Sequence, residues 1–170
     1  MSKACRRLGA GVVLGLFVFL APFQGAEKKV PLDKVPNAVL NAVKARFPDA
    51  KLRAAEKETE KGKTVYEIAL TENNQKIEVT LTPKGKITEI EKQIAAKDMP
   101  RAVIKALEAK YPKATYQTIE QVYKVRKGKE KLAYYEVLLV TAAKKKLEVS
   151  VKAEGKIIKV EDKSKEKNEE

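Results

Sequence analysis

The sequence predicts an α+β protein made of two tandem repeats, each one N-terminal helix packed on a four-stranded antiparallel meander sheet. Apolar residues recur first with the helical period of 3.6 and then with the strand period of 2, and this order occurs twice. The repeated motifs are Val35-Pro36 and Met99-Pro100, Phe47-Pro48 and Tyr111-Pro112, Tyr66-Glu67 and Tyr135-Glu136, Ile77-Glu78-Val79 and Leu147-Glu148-Val149, and Lys84-Gly85-Lys86-Ile87 and Glu154-Gly155-Lys156-Ile157. Tandem copies of one unit often build one extended binding surface.

The spacing between the copies grows along the chain, from 64 residues at the first two matches to 70 at the last two. A drift in one direction means that the second copy carries extra residues, which must lie between Pro112 and Tyr135. Each copy has roughly 65 to 70 residues and would be marginally stable alone without a disulfide or metal. We therefore expect the copies to pack on each other or to share a sheet edge.

Residues 1–26 have the pattern of a cleaved signal peptide. Basic residues precede an apolar run from Gly11 to Leu20, which is shorter than the roughly 20 residues that cross a bilayer. The only cysteine, Cys5, lies before that run, so the mature chain has no thiol. We expect a periplasmic or secreted protein without a transmembrane anchor.

Each copy opens with an amphipathic helix. Asp33 and Asp98 are the predicted N-caps, each followed by a proline in the first turn, where a missing N–H costs nothing. Apolar residues then recur at helical spacing until Phe47 or Tyr111, and the next residue is a proline that ends the helix. We expect both aromatic side chains to be buried between helix and sheet.

Strands with alternating apolar and polar residues follow each helix. The apolar positions are Tyr66, Ile68, Leu70, Ile77, Val79 and Leu81 in the first copy and Tyr135, Val137, Leu139, Leu147, Val149 and Val151 in the second. The helix should cover this apolar face, and the other face should look outward. The first copy spans residues 32–94 and the second 97–162, and a charged tail at 163–170 is predicted to be disordered.

The order of these motifs resembles the PepSY-like domain family. Members have a short helix opened by an apolar-Pro pair and closed by Tyr-Pro or Phe-Pro, then strands with Tyr-Glu and a late Gly-Lys-Ile turn. The resemblance covers Leu32 to about Lys163 and implies the helix-plus-four-strand fold of the beta-lactamase inhibitory protein, itself a tandem repeat. That inhibitor is disulfide-stabilised, which this chain is not, and none of its inhibitory contacts can be matched to positions here.

The residue inventory argues against an enzyme. The sequence has no histidine and the mature chain no cysteine, which removes the usual general base and any thiol or zinc-thiolate site. Carboxylates at strand spacing could serve glycoside hydrolysis or bind calcium, but among lysines they are more typical of cross-strand ion pairs. These carboxylates are Glu56, Glu58, Glu60, Glu89 and Glu91. We predict no catalytic residue, no cofactor and no metal.

The chain is strongly basic, and its formal charge of +13 falls by three to +10 without Lys3, Arg6 and Arg7. A dense lysine run at 144–146 is typical of a solvated turn, although it could also attract an anionic envelope polymer. A nucleic-acid interface would draw on four tyrosines of the second copy as stacking platforms. These are Tyr116, Tyr123, Tyr134 and Tyr135. The export signal, the glutamates within the strands and the lack of arginine-rich patches argue against that partner.

The remaining candidate site is the outward face of the strands, formed by the residues that alternate with the apolar positions. Glutamates stand at matching places in both copies, and the second copy adds apolar residues, Val140 among them, beyond what an exposed face needs. The hypothetical partner-binding residues are Glu67, Glu78, Tyr134, Glu136, Leu138 and Glu148. Two other interpretations stay open: solvent-facing residues paired with lysines, or an interface between the two copies.

The sequence therefore predicts a non-catalytic, exported, monomeric module that binds a protein or peptide, with inhibition of an exported enzyme as one form of that binding. The alternative is a basic envelope-associated module that binds an anionic polymer or small ligand. Charge-driven binding would weaken steeply with ionic strength, and apolar docking would not.

Overall fold

The computed structural model describes residues 28–60 and 62–164. The predicted signal peptide and residues 165–170 of the predicted tail lie outside the described residues. In chain order the elements are β1 (Lys28–Lys29), α1 (Asn37–Arg46), β2 (Lys51–Glu60), β3 (Lys63–Glu72), β4 (Gln75–Leu81), β5 (Ile87–Gln93), α2 (Arg101–Lys110), β6 (Thr115–Arg126), β7 (Lys129–Val140), β8 (Lys146–Val151) and β9 (Ile157–Asp162).

The predicted α+β class is confirmed, with two α-helices and one nine-stranded antiparallel sheet in the described part of the chain. Four strands follow each α-helix along the chain, and the unpredicted strand β1 precedes α1. β1 pairs with β2, and the Val30 N–H donates to the Ala55 carbonyl at 2.8 Å. The described helices lack the combination of length and apolar character that a bilayer-spanning helix requires.

The two copies join edge to edge. β5 pairs with β6, so that Ile90 lies opposite Tyr123 and Glu91 opposite Val122. Every strand therefore pairs with its neighbour in the sequence, from β1 to β9. Of the two expected arrangements, sharing a sheet edge is the one found, and the face opposite the helices is not an interface between the copies.

Both helices lie on the same face of this sheet. Residues that are directly paired on neighbouring strands share a face, and the pairs Val79–Ile90 and Ile90–Tyr123 carry that phase across the junction. The first core is Val35, Val39, Val43, Phe47, Ala55, Tyr66, Ile68, Leu70, Ile77, Val79, Leu81 and Ile90. The second is Met99, Val103, Leu107, Ile119, Tyr135, Val137, Leu139, Val149 and Val151. The cores contain the apolar strand positions that the alternation predicted, except Leu147, which packs against the second core while partly exposed.

The predicted N-caps are wrong. Asp33 and Asp98 lie in short 3₁₀ turns before the helices, and the N-cap positions are taken by Pro36 and Pro100 without a side-chain cap bond. The extended ψ angles of 136° and 140° at these prolines turn the chain into each helix. The proline carbonyl then accepts the first helical bonds, as in Val39 N–H to Pro36 O at 2.9 Å.

The two aromatic residues that close the helices differ in burial. Phe47 is buried at 3% exposure, as predicted. Tyr111 packs against the second core while remaining partly exposed, so the prediction of equal burial is wrong for this position. A phenol hydroxyl favours a wet boundary, which a phenyl ring does not.

The extra residues of the second copy lengthen one hairpin. β6 and β7 have 12 residues each, whereas β2 and β3 have 10 each. Near the hairpin tip, Glu130 accepts hydrogen bonds from Arg46 Nε at 3.1 Å and Lys92 Nζ at 3.2 Å. Burial acts to raise the pKa of Glu130, but these two cations outweigh it and lower the pKa. The hairpin of the second copy is thereby tied to α1 and β5 of the first.

The repeated Gly-Lys-Ile turns press against the helices. Gly85 has φ +77°, and a Cβ there would lie 2.3 Å from the Ala38 carbonyl oxygen of α1. Gly155 has φ +89°, and its Cβ would lie 2.7 Å from the Ala102 oxygen of α2. Only glycine can adopt this positive φ and also leave room for the helix carbonyl oxygen.

We predict that Gly85→Ala destabilises the fold far more than Gly128→Ala. Both glycines have positive φ, at +77° and +75°, but a Cβ at Gly128 would meet nothing within 4 Å. Gly128→Ala should therefore cost only the backbone strain of about 1–2 kcal/mol, and Gly85→Ala at least twice as much, because the helix must also move. Urea unfolding of both variants measures this, and equal losses would show that the turn does not contact the helix.

Candidate functional site

One glutamate from each of eight consecutive strands lies on the face opposite the helices. From β2 to β9 they are Glu56, Glu67, Glu78, Glu91, Glu120, Glu136, Glu148 and Glu161, and we call this set the acidic row. Four direct cross-strand pairs build it: Glu56–Glu67, Glu78–Glu91, Glu120–Glu136 and Glu148–Glu161. The row thus runs across both copies, and all of its members lie on the same face of the sheet.

Local sequence alone directs each of these glutamates away from the core. Glu67 stands between Tyr66 and Ile68, which are 9% and 0% exposed on the helix side. Because successive side chains of a strand point to opposite faces, burying its neighbours turns Glu67 to the other face. Directly opposed like charges destabilise a sheet, so the row opposes folding wherever its members are ionised.

The centre of the acidic row is a compact group of three carboxyl groups. Glu78, Glu91 and Glu120 each place a carboxylate oxygen within 4.8 Å of the others. Glu67 adds a side-chain hydrogen bond to Glu78. A hydrogen bond between two carboxyl groups needs a proton on one of them. Three oxygens at this spacing could alternatively serve as ligands of a hard divalent cation.

Three glutamates in the middle of the row, Glu67, Glu91 and Glu120, have raised pKa values. Burial and the neighbouring carboxylates of Glu78 and Glu58 raise the pKa of Glu67 to about 9. Burial, with Glu136 and Glu120 nearby, raises the pKa of Glu91 to about 9. Burial and the neighbouring carboxylates of Glu78 and Glu136 raise the pKa of Glu120 to about 7. At neutral pH the centre of the row therefore holds protons and can donate as well as accept hydrogen bonds.

Lysines partly neutralise the end of the row in the second copy. Burial and Glu136 raise the pKa of Glu148 to about 7, although Lys163 acts against this. At Glu161 burial also favours the neutral form, but Lys159, with its Nζ 2.8 Å away, lowers the pKa. The row is therefore electrostatically graded, with neutralised carboxyls at its centre and an ion-paired carboxylate at the β9 edge.

The six residues that the sequence suggested as a partner site lie on one face. Glu67, Glu78, Glu136 and Glu148 belong to the acidic row, Leu138 lies opposite Glu148, and Tyr134 lies opposite Val122. Burial raises the pKa of Glu136, against a hydrogen bond of 3.1 Å donated by the Ser150 hydroxyl. The interpretation as solvated residues paired with lysines does not describe Glu67, whose charged neighbours are carboxylates.

The sequence analysis left half of the row out of the partner site. It named Glu56 and Glu91 only as strand-spaced carboxylates and did not single out Glu120 or Glu161. The repeat offsets contained the signal, because Glu120 follows Glu56 by 64 residues and Glu161 follows Glu91 by 70. The predicted cross-strand ion pair was right at Glu89, which pairs with Lys124 of β6. Neighbouring strands, rather than positions along one strand, bring the carboxyl groups of the row together.

The four tyrosines of the nucleic-acid interpretation do not share a surface. Tyr135 is buried at 4% exposure, and Tyr116 and Tyr123 pack against the cores on the helix side. Tyr134 lies on the opposite face, with Lys124 Nζ 5.8 Å from its ring centre. No stacking platform is formed by these rings.

Comparison with protein families gives one match. The model of the PepSY-like family, described as beta-lactamase-inhibitor-like, matches residues 23–89 and again residues 74–159. The two matches overlap at residues 74–89 and together span most of the chain. Among curated proteins, none matches this sequence.

Several solved structures share the fold. A DUF2874 family protein from Bacteroides uniformis has a TM-score of 0.62 at 18% identity, covering 78% of this chain and 93% of its own. A protein from Bacteroides eggerthii described as periplasmic has a TM-score of 0.64 at 16% identity, covering 79% and 93%. A BLIP-like protein from Bacteroides fragilis has a TM-score of 0.56 at 16% identity, covering 78% and 89%. At these identities the likeness establishes the fold.

We predict that the protein loses stability as pH rises from about 5 to about 9. The pKa values of Glu67 and Glu91 in the folded state, about 9, lie above the ordinary 4.5, so the folded state binds more protons in that interval. The stabilisation is complete below pH 4.5 and is lost as pH rises through 9. Denaturant unfolding at pH 5, 7 and 9 measures the slope.

The matched variants are Glu67→Gln and Glu91→Gln, which keep the shape of the side chain but cannot ionise. Each should raise the free energy of unfolding at pH 9 by about 1–3 kcal/mol and flatten the pH dependence. Glu154→Gln, in an exposed turn, is the control and should not raise the free energy of unfolding at pH 9, because it removes no carboxyl group from the row. A stability that is constant or rises toward pH 9 in the wild type would contradict the prediction.

Proposed function

The chain belongs to the PepSY-like, beta-lactamase-inhibitor-like family, and from that premise we propose that it is an exported, non-catalytic module that binds a protein or peptide partner. The partner docks on the face of the sheet opposite the helices, along the acidic row. The observation that carries the proposal is the repetition of the row, four glutamates in each copy at matching strand positions.

Folding gives no reason for this repetition. Opposed glutamates cost stability, and an uncharged polar side chain would serve a wet strand face as well. Two copies that differ at most other positions have nevertheless kept all four glutamates. A surface that is kept against a folding cost in both halves of a molecule is best accounted for by binding.

The chemistry of the face indicates the kind of partner. The acidic row offers carboxylates and protonated carboxyls in line across the strands, which suit lysine, arginine and backbone amide groups of an extended segment. Beside it, Tyr134, Leu138 and Val140 are half-buried and supply apolar contact in the second copy. The proposed partner is an exported protein that presents a basic, partly apolar segment, and an enzyme held in an inhibited state is one such partner.

Export and the absence of catalysis belong to the same proposal. The predicted signal peptide and the periplasmic setting of the Bacteroides eggerthii relative support export. A sequence without histidine or a mature cysteine supports a binding role. We propose a monomer in solution, since the chain pairs its own two copies within one sheet.

We predict that Tyr134→Ala with Leu138→Ser reduces partner capture at least fivefold, because the pair provides the apolar contact beside the row. Capture from the native envelope, quantified by mass spectrometry against wild type, measures the loss. The control is Ile158→Ala with Val160→Ala on β9, which truncates two other exposed apolar side chains, 43% and 40% exposed. Equal capture by wild type and the Tyr134/Leu138 variant, with an unchanged melting temperature, would contradict the proposed docking face.

A further inference from the structure

A second candidate site lies where the β6–β7 hairpin projects beyond β8. β7 pairs with β8 only from Tyr135 to Val140, so its first residues, 129–134, extend past the end of that strand. A cavity of about 500 Å³ occupies this position. We call it the cationic groove, and its charged lining consists of Lys124, Arg126, Lys129, Lys131 and Lys152.

Cations face cations across this hairpin. Lys124 lies directly opposite Lys131, and Arg126 directly opposite Lys129. Lys124 is balanced by its ion pair with Glu89. The side chains of Arg126, Lys129 and Lys131 are exposed, and the ion pairs of residues 28–60 and 62–164 include none of these three. Opposed like charges destabilise a hairpin, so an anion between them would relieve a cost that folding leaves in place.

The first copy shows that the architecture does not require these cations. In the corresponding β2–β3 hairpin, Glu58 lies opposite Val65 and Glu60 opposite Lys63. The same meander therefore forms without cations opposite one another at its tip. The positive charge is a particular property of the longer hairpin of the second copy.

We propose that the cationic groove binds a small soluble anion that carries two or more phosphate groups. The guanidinium of Arg126 offers a planar pair of donors that matches phosphate, and the ammonium groups of Lys129 and Lys131 supply compact charge. Lys152 Nζ is held in place by the Ala133 carbonyl at 2.7 Å. The cavity volume lies within the roughly 300–1,000 Å³ typical of small-molecule sites, which favours a small ligand over a polymer.

The experiment is a titration of isotopically labelled protein with inorganic pyrophosphate, followed by amide chemical shifts at fixed ionic strength. Saturable shifts are expected at residues 124–133 and at Lys152. The triple variant Arg126→Gln, Lys129→Gln and Lys131→Gln should bind at least about tenfold more weakly. Because all three side chains are exposed, the variant should fold and melt no lower than wild type.

The matched control removes the same charge elsewhere, with Lys84→Gln, Lys105→Gln and Lys113→Gln at exposed positions outside the groove. Its affinity for pyrophosphate should stay within about twofold of wild type, since the contacts in the groove remain. Equal weakening in both triple variants would show that net charge alone governs binding and would overturn the proposal. Shifts that do not saturate would also overturn it.

Two further probes separate the sources of phosphate. Vesicles of phosphatidylglycerol test a membrane surface, and a single-stranded oligonucleotide tests nucleic acid. Binding of either one without saturable pyrophosphate binding would overturn the assignment of a small soluble ligand. Pyrophosphate binding should survive Leu138→Ser, because Leu138 lies opposite Glu148 on the proposed docking face and does not line the groove.

Discussion

The structure depends on one constraint, the unbroken alternation of side chains across a continuous antiparallel sheet. Because β5 pairs with β6, the phase set by Ile68 and Val79 in the first copy continues into Val137 and Val149 in the second. Both helices must then cover the same face, and every residue out of phase with the cores must lie on the other. The acidic row and the two cores are consequences of the same register.

The two faces of the sheet have opposite effects on the free energy of folding. On the helix side, Val39, Val43, Val103 and Leu107 are fully buried and stabilise the fold by removing apolar surface from water. On the other side, carboxyl groups stand opposite one another, and protons taken up at neutral pH reduce their repulsion. The fold thus tolerates the acidic row, which does not contribute to its stability. This division of roles underlies the proposed binding function, with the apolar face as scaffold and the acidic face as the proposed site.

Sequence patterns predicted whatever depends on local periodicity, namely the two helices, the alternating strands, the Gly-Lys-Ile turns and the duplication. They failed where local rules compete, since the prolines at 36 and 100 took the N-cap positions that Asp33 and Asp98 would have suited. The acidic row was only half visible, because register between strands depends on bulges such as those between Leu52 and Ala54 and between Thr80 and Leu81. The sequence did not predict that Lys124 and Lys131 lie opposite each other in the longer hairpin, because that pairing also depends on the register between strands.

Carbon-13 NMR of the glutamate side-chain carboxyls through a pH titration tests the central claim most directly, because it follows each member of the row separately. The account predicts that Glu67 and Glu91 titrate with apparent pKa values near 9, far above the ordinary 4.5, while Glu161 titrates below its ordinary value because of Lys159. Titration of Glu67 and Glu91 near the ordinary 4.5 would contradict the account, because the row would then be an ordinary solvated strand face.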